Sequence, residues 1–254
     1  MSIVQFSSLG NNGRFGNQLF QYAFARAYAE KYNASLEIPS DWFGYEVFKD
    51  IKGRPISKNI KSSKMDTTPP LQEGACINLF GYYQSAEALE YLSVKKIREW
   101  FQFKDSIFEK FKDTKHDIVI HKRRGDYVKH RKRFCIVSEK SYYDLCEKEG
   151  LDASKALWVS DENDGKNATE DEKKNSLLND FFELMNAETM IRSNSTFSYW
   201  AGILGNNKKI YSPIVRGVGE QNVEFKDDNW EAIVEPQYHK KLSHVTIGSL
   251  KIKK

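Results

Sequence analysis

The chain has 254 residues, a formal net charge of +4, 40% hydrophobic residues and 29% charged residues. A chain of this length buries enough surface on folding for one large domain or two small ones. Its hydrophobic content excludes a disordered polyampholyte. The charged content, and the lack of any apolar run near the roughly 20 residues that span a bilayer, argue against an integral membrane protein.

The N-terminus and the cysteines bear on the cellular compartment. Residues 1–6 carry neither a basic segment nor an apolar signal segment, so we expect a cytoplasmic protein without a signal peptide. The 3 cysteines, Cys76, Cys135 and Cys146, predict by number and spacing neither a disulfide framework nor a zinc site. The pI of about 8.7 suits an anionic small molecule. A nucleic-acid partner is not expected, because the basic residues are scattered.

The first half alternates strand-like and helix-like stretches, which is typical of an α/β fold. A glycine-rich turn at 9–16 precedes a helix whose Leu19, Ala23 and Ala27 recur every four residues on one face. The predicted elements are a strand at 3–6, that helix at 17–31, a strand at 35–38, an irregular loop at 50–75, a strand at 76–80 and charged helical segments over 85–112.

The second half restarts the alternation, and the break at 105–116 is the predicted domain boundary. The βαβαβ-like order predicts a parallel sheet with right-handed crossovers. Pro213 is expected to end the last strand, because proline cannot donate to a strand ladder. The predicted elements are strands at 117–120, 156–159, 189–191 and 209–211, helices at 141–149, 177–186 and 197–204, and a polar loop at 161–174.

The most informative segment runs from His121 to Asp126, after the predicted strand at 117–120. It places Arg123 and Arg124 where ligands bind in open α/β sheets, outside the carboxyl ends of the strands. Guanidinium groups match phosphate oxygens bidentately and keep their charge, and Asp126 is the one obvious acidic partner. The segment predicts a phosphate or pyrophosphate clamp, with a surface Arg–Asp turn as the alternative.

Two further strand ends carry polar side chains. Residues 192–198 open a predicted helix, where hydroxyl groups and unpaired backbone N–H groups favour an anion site; simple N-capping is the alternative. Asp161 and Glu162 follow the predicted strand at 156–159. A carboxylate there can accept hydrogen bonds from a guanine edge or from ribose hydroxyls, and capping of the next element is the alternative.

The turn at 13–18 carries glycines but lacks both the GxGxxG pattern and the Lys-Ser/Thr of a P-loop, so it predicts no dinucleotide or ATP site. Its glycines allow a ligand close to the backbone, and Asn17 either caps the helix or faces a sugar. The chain contains no Asp-x-Asp and no HExxH motif, so we expect arginine rather than a metal to neutralise a pyrophosphate leaving group.

Together, these segments resemble the α-1,2-fucosyltransferases of glycosyltransferase family 11, in order and spacing over residues 3–215. Glu162 stands where that family has a second aspartate. The segments that carry the resemblance are Gly16-Asn17-Gln18 before an aromatic helix, Gly81-Tyr82-Tyr83-Gln84-Ser85, His121-Lys122-Arg123-Arg124-Gly125-Asp126, Ser160-Asp161-Glu162 and Ser193-Asn194-Ser195-Thr196-Phe197-Ser198.

The resemblance implies a GT-B-like α/β fold of two facing Rossmann-like halves, with a parallel sheet in the C-terminal half. It divides the chain into an acceptor-side domain at 1–110, a GDP-fucose-binding domain at 111–235 and a basic tail at 236–254. The basic loop at 129–133 is interpreted as a solvated loop. Its alternative is a contact with a lipid-linked pyrophosphate acceptor, which would place the protein at the inner face of the membrane.

The resemblance also implies roles for individual residues. Arg123 would hold the β-phosphate, with Arg124 and Asp126 in support, and His121 would lie beside the nucleotide. Asp161 would face the guanine or the ribose. Asn17, from the first half, would reach across to the fucose, so that Asn17, Arg123 and Asp126 form the expected catalytic set. The remaining expected donor-binding residues are Gly16, Gln18, Ser193, Asn194, Ser195, Thr196 and Phe197.

The implied function is an inverting, metal-independent galactoside α-1,2-fucosyltransferase. It would move fucose from GDP-fucose to a galactose-type hydroxyl of a protein glycan or O-antigen, with no further cofactor. A transferase for another GDP-deoxyhexose and a non-catalytic GDP-sugar or glycan-binding module are the alternatives. Asp126 and His130 are candidates for the catalytic base by position alone, and early departure of the leaving group would need no strong base.

Overall fold

The computed structural model of the protein describes residues 1–85, 88, 90–130, 134–163, 168–214 and 229–231. The chain divides into two compact units, Met1–Phe108 and Glu109–Lys254. The predicted tail at 236–254 and residues 131–133 of the basic loop lie outside the described residues. Within the described ranges, no helix is both long and apolar enough to cross a membrane.

The N-terminal unit is built on a small parallel sheet. Its elements are β1 Ile3–Gln5, α1 Phe15–Lys31, β2 Ser35–Glu37, α2 Gly44–Val47, β3 Cys76–Asn78, α3 Val94–Trp100 and α4 Asp105–Phe111, which contains the division between the units. The strand order is β2-β1-β3, and Val4 of the central strand aligns with Leu36 on one side and Ile77 on the other.

Helix α1 forms the core of this unit. Leu19 and Phe24 have no exposed surface, and buried residues occur on all sides of the helix. This is the pattern of a helix enclosed by its domain rather than lying on a surface. The helix begins at Phe15, earlier than predicted, and its N-cap residue is Arg14. Asn17 therefore lies within the first turn and is not the cap.

The C-terminal unit is built on a larger sheet. Its elements are β4 Ile118–Lys122, α5 Gly125–Lys129, α6 Glu139–Glu149, β5 Leu157–Ser160, a 3-10 turn at Asp161–Asn163, α7 Glu170–Asn186, β6 Thr189–Ile191, α8 Thr196–Leu204, β7 Lys209–Ile214 and β8 Asn229–Glu231. The strand order is β5-β4-β6-β7-β8, and all neighbours are parallel. The predicted α/β class with a parallel sheet in this half is confirmed.

The strand order of this sheet reverses beside β4. The chain places β5 on one side of β4, and then crosses to the other side to add β6, β7 and β8 in succession. At such a switch point the loops leaving the two central strands diverge, and ligands bind in the crevice outside their carboxyl ends. Residues 123–126 follow β4 and residues 192–195 follow β6. The topology thus brings both predicted anion motifs to one place.

Several element bounds differ from the predictions. Helix α7 begins inside the predicted polar loop, because a capping box formed by Thr169 and Glu172 supplies its start. Strand β7 continues through Pro213, which aligns with a residue of β8. The elements α2, α5 and β8 were not predicted. The helices α2 and α5 are only one turn or slightly longer, which is too short to show a helical period.

Candidate active site

Two carboxylates hold Arg123 at the end of β4. Its Nη2 lies 2.7 Å from Asp126 Oδ1, and its Nη1 lies 3.0 Å from Asp161 Oδ2. Its Cζ lies 5.2 Å from the ring centroid of Tyr127, and the side chain is 10% exposed. Arginine carries several N–H donors in a rigid fork, and the buried Nε of Arg123 has no hydrogen-bond partner among the described residues. A buried charged donor without a partner is uncommon in folded proteins, and a bound ion is one of its explanations.

The carboxylate of Asp161 also holds the backbone at the start of α5. Its Oδ1 accepts hydrogen bonds from the backbone N–H groups of Arg124, at 2.8 Å, and Gly125, at 2.9 Å. The first N–H groups of a helix have no partner within the helix. The side chain of Asp161, in the turn after β5, therefore caps the start of α5. The parallel register aligns Lys122 with Ser160, which brings the residues that follow β4 and β5 together.

Further ion pairs lie beside Arg123 and Asp161. Lys122 Nζ lies 3.7 Å from Glu139 Oε1 and 3.6 Å from Glu162 Oε2. Arg124 Nε lies 3.3 Å from Glu162 Oε1, and Arg124 Nη2 lies 3.9 Å from Glu139 Oε2. The expectation that Asp126 is the one acidic partner of the arginines is therefore wrong. The additional carboxylates come from α6 and from the turn after β5, and distance along the chain conceals this proximity.

A buried arginine and a helix start follow β6. Arg192 is 1% exposed and donates hydrogen bonds to Ser212 Oγ and to the carbonyl of Ser195, both at 3.2 Å. Burial lowers the pKa of Arg192 to about 10, so the side chain stays charged at neutral pH. Ser195 is the N-cap of α8, and its Oγ accepts a hydrogen bond from the N–H of Phe197 at 3.3 Å. Thr196 and Phe197 are half-buried at this helix start.

His121 links the same two strand ends. Its Nδ1 lies 2.9 Å from Ser193 Oγ, and its ring centroid lies 5.8 Å from that of Phe197. Burial, assisted by the positive charge of Arg123, lowers the pKa of His121 to about 3. The ring is therefore neutral at physiological pH and offers one hydrogen-bond donor and one acceptor.

Tyr127 is a further link between these strand ends, and it was not among the predicted site residues. Its hydroxyl donates to the carbonyl of Asn194 at 3.1 Å, and its ring stacks on Phe134 with centroids 4.4 Å apart. The side chain of Asn194 in turn donates to the carbonyl of Cys135 at 3.1 Å. Burial raises the pKa of Tyr127 to about 12, so the hydroxyl keeps its proton. The aromatic residue directly after the Arg-Arg-Gly-Asp run was the available signal.

In the N-terminal unit, a side chain of α1 forms hydrogen bonds with the glycine-rich turn that precedes the helix. Gln18 Nε2 donates to the carbonyls of Gly10, at 3.2 Å, and Gly13, at 3.0 Å, and Gln18 Oε1 accepts from Trp42 Nε1 at 3.0 Å. Gly13 has a φ of 83°, and a Cβ there would lie 2.5 Å from Asn17 Nδ2. The structure therefore places Gln18 in the framework of the turn, with Gly13 allowing the close approach of Asn17.

Asn17 contacts Gln84, which was not among the predicted site residues. Its Oδ1 accepts a hydrogen bond from Gln84 Nε2 at 2.9 Å, and Gln84 is 8% exposed in the loop after β3. Asp66 Oδ1 holds this loop by accepting from the backbone N–H groups of Tyr82 and Tyr83 at 2.6 and 2.7 Å. The Gly-Tyr-Tyr-Gln-Ser stretch was the signal for Gln84.

The predicted site residues thus form two groups, one in each unit. Within the described ranges, no three or more His, Cys, Asp and Glu side chains are grouped to hold a metal ion. The strand ends of the C-terminal unit carry His121, Arg123, Arg124, Asp126, Asp161, Ser193, Asn194, Ser195, Thr196 and Phe197, and the first turn of α1 carries Gly16, Asn17 and Gln18.

Comparison with known proteins identifies the family. The model of Glycosyl transferase family 11 matches residues 72–238, which include the whole switch point of the C-terminal unit. No curated protein sequence matches the chain.

Three solved structures are similar to the chain at low sequence identity. The NodZ α-1,6-fucosyltransferase of Bradyrhizobium, soaked with GDP-fucose, is 14% identical with a TM-score of 0.47, covering 80% of this chain and 92% of that one. POFUT1 in complex with GDP-fucose is 12% identical with a TM-score of 0.48, covering 82% and 97%. A mutant of Arabidopsis thaliana FUT1 in complex with GDP is 12% identical with a TM-score of 0.44, covering 83% and 70%. With identities this low, the assignment rests on the family match: the chain belongs to glycosyl transferase family 11.

Proposed function

We propose that this chain is an inverting, metal-independent fucosyltransferase. It moves fucose from GDP-fucose to a hydroxyl of a galactose-type unit in a glycan and forms an α-1,2 linkage. Membership of glycosyl transferase family 11 supports transfer from an activated sugar. The observation that carries the proposal is the guanidinium of Arg123, which Asp126 and Asp161 hold at the switch point; its Nε has no hydrogen-bond partner within the described part of the chain.

We assign the donor pyrophosphate to the two strand ends beside the switch point. The N–H groups of Arg123 contact the β-phosphate, and the hydroxyls of Ser195 and Thr196 contact phosphate at the start of α8. The neutral ring of His121 and the half-buried ring of Phe197 lie beside the nucleotide. Support for this assignment comes from the strand order, which makes β4 and β6 neighbours.

The charges of these residues suit the chemistry of the reaction. Fucosyl transfer builds positive charge on the sugar ring and negative charge on the departing GDP. Arg123 opposes the negative charge throughout, because a guanidinium does not lose its proton. An arginine that neutralises the leaving group takes the part that a metal ion plays in other transferases.

The acceptor hydroxyl must lose a proton as the new bond forms on the face opposite GDP. Asp126, with a 31% exposed side chain, and the exposed His130 both follow β4 and are the candidate bases. Asn17 is assigned to the fucose. Separate Asp126→Asn and His130→Gln variants identify the base as the residue whose loss removes most of the transfer activity together with the acid limb of the pH–rate profile.

A thermal-shift panel tests the donor assignment. The wild-type chain is measured with GDP, UDP, ADP and CMP, with and without EDTA. A ligand at about 100 times its Kd adds about 2.7 kcal/mol of stability, which shifts the Tm by several degrees. We expect GDP alone to stabilise the wild type, with no effect of EDTA. Stabilisation by UDP, or by no nucleotide, contradicts the proposal.

Two variants test whether the GDP-induced shift in Tm depends on Arg123. Arg123→Lys keeps the charge beside the two carboxylates but loses the bidentate fork, and it should lose most of the GDP shift. Arg98→Ala, at an exposed position on α3, should keep the full shift. Transfer is then measured with GDP-fucose and a galactose-terminated acceptor, and the linkage is read by NMR. GDP binding without transfer would identify a non-catalytic module instead.

A further inference from the structure

We infer that Asp161 is a positioning residue that orients Arg123 for the pyrophosphate, and that it is not a ligand of the nucleoside. The inference rests on the proposed function, because it takes Arg123 to be the pyrophosphate ligand. The resemblance had implied that Asp161 faces the guanine or the ribose. In the structure, both oxygens of its carboxylate contact the loop that follows β4.

One carboxylate holds three consecutive residues of this loop. Oδ2 pairs with the Nη1 of Arg123, while Oδ1 accepts the N–H groups of Arg124 and Gly125. The contacts therefore fix the guanidinium and the backbone from which it extends. Both oxygens of the carboxylate are therefore already occupied by partners from the segment that follows β4.

Gly125 is required for this approach. A Cβ on Gly125 would lie 2.5 Å from Oδ2 and 2.8 Å from Cγ of Asp161, which is closer than non-bonded atoms pack. A larger residue at this position would push the carboxylate away from its contacts. The glycine of the Arg-Arg-Gly-Asp run is thus explained by Asp161, which lies in the turn that follows the neighbouring strand β5.

The ion pairs of the site make the orientation of the guanidinium important. Lys122, Arg123 and Arg124 each face carboxylates, which are Asp126, Glu139, Asp161 and Glu162. Because the charge of Arg123 is already paired, an anion gains most from N–H groups that point at it. Turning the guanidinium fork therefore weakens pyrophosphate binding even when no charge is changed.

Two charge-conserving variants of the full chain test this inference. Asp161→Glu and Gly125→Ala both displace the carboxylate from its contacts. Calorimetric titration measures the binding of GDP, inorganic pyrophosphate and GMP. We expect each variant to bind GDP and pyrophosphate about tenfold more weakly. GMP, which lacks the β-phosphate, should bind within about twofold of wild type.

A variant that carries both Asp161→Glu and Gly125→Ala is a second test of the inference. It should bind GDP no more weakly than the worse single variant, because both substitutions break the same contacts. Asp152→Glu is the matched control, since it makes the same change at an exposed carboxylate in the turn after α6. It should bind all three ligands as the wild type does.

The possible failures are distinguishable. Equal losses for GDP and GMP with unchanged pyrophosphate binding would show a nucleoside contact and overturn the inference. Equal losses for all three ligands would show a purely structural role and also overturn it. Failure of the wild-type chain to bind GDP would instead overturn the proposed function.

Discussion

The buried His121 makes the stability of the C-terminal unit sensitive to acid. Burial lowers the pKa of this imidazole to about 3, whereas the unfolded chain takes up the proton near the ordinary histidine value of about 6.5. Between these pH values the unfolded chain binds a proton that the folded chain does not. Lowering the pH therefore favours unfolding. The stability is present above the unfolded pKa and is lost as the pH falls through this window.

The size of the effect follows from the pKa difference. Each pH unit inside the window costs about 1.4 kcal/mol of unfolding free energy. Acidification from about pH 7.5 to about pH 5 should therefore remove about 2 kcal/mol through His121. A His121→Asn variant keeps a polar group that can reach Ser193 but does not titrate. Over the same interval it should lose about 2 kcal/mol less than the wild type.

Urea unfolding of both proteins at the two pH values, followed by tryptophan fluorescence, measures this difference. All other ionisable groups are common to the two proteins, so the comparison removes their contributions. NMR of the His121 ring in the wild type is an independent check, and the ring should remain neutral throughout this range. Equal loss of stability in the two proteins, or a His121 pKa between about 5 and 7, would refute the reasoning.

Three further substitutions test the packing within each unit. Burial alone would raise the pKa of Glu37, but hydrogen bonds from neighbouring side chains and the charge of Arg54 lower it, so Glu37→Gln should cost about 3 kcal/mol in urea unfolding. A cost below about 1 kcal/mol would contradict this account. Tyr127→Phe removes one buried hydrogen bond and should cost about 1 kcal/mol, and an unchanged midpoint would contradict its linking role. Gly81→Ala would place a Cβ 2.2 Å from Asp66 Oδ1 at a φ of 141° and should lower the Tm, whereas a Tm equal to wild type would contradict the described loop.

Some of the site was predictable from the chain alone. A buried strand that runs directly into Arg123 and Arg124 is a local pattern, and so is the polar segment that opens α8. The strand at 189–191 has the predicted bounds. The start of α7 was missed because its first turns are almost entirely polar, and the capping box that begins the helix was not recognised.

Local pattern and element order in the sequence were sufficient for the α/β class and for the strand ends that carry Arg123 and Ser195. They did not show which carboxylates hold Arg123, because that depends on which strands become neighbours and in what register. The parallel pairing of β4 with β5 aligns Lys122 with Ser160, and so brings Asp161 to the arginine. This alignment belongs to the folded sheet, since burial and backbone hydrogen bonding across the whole unit select it.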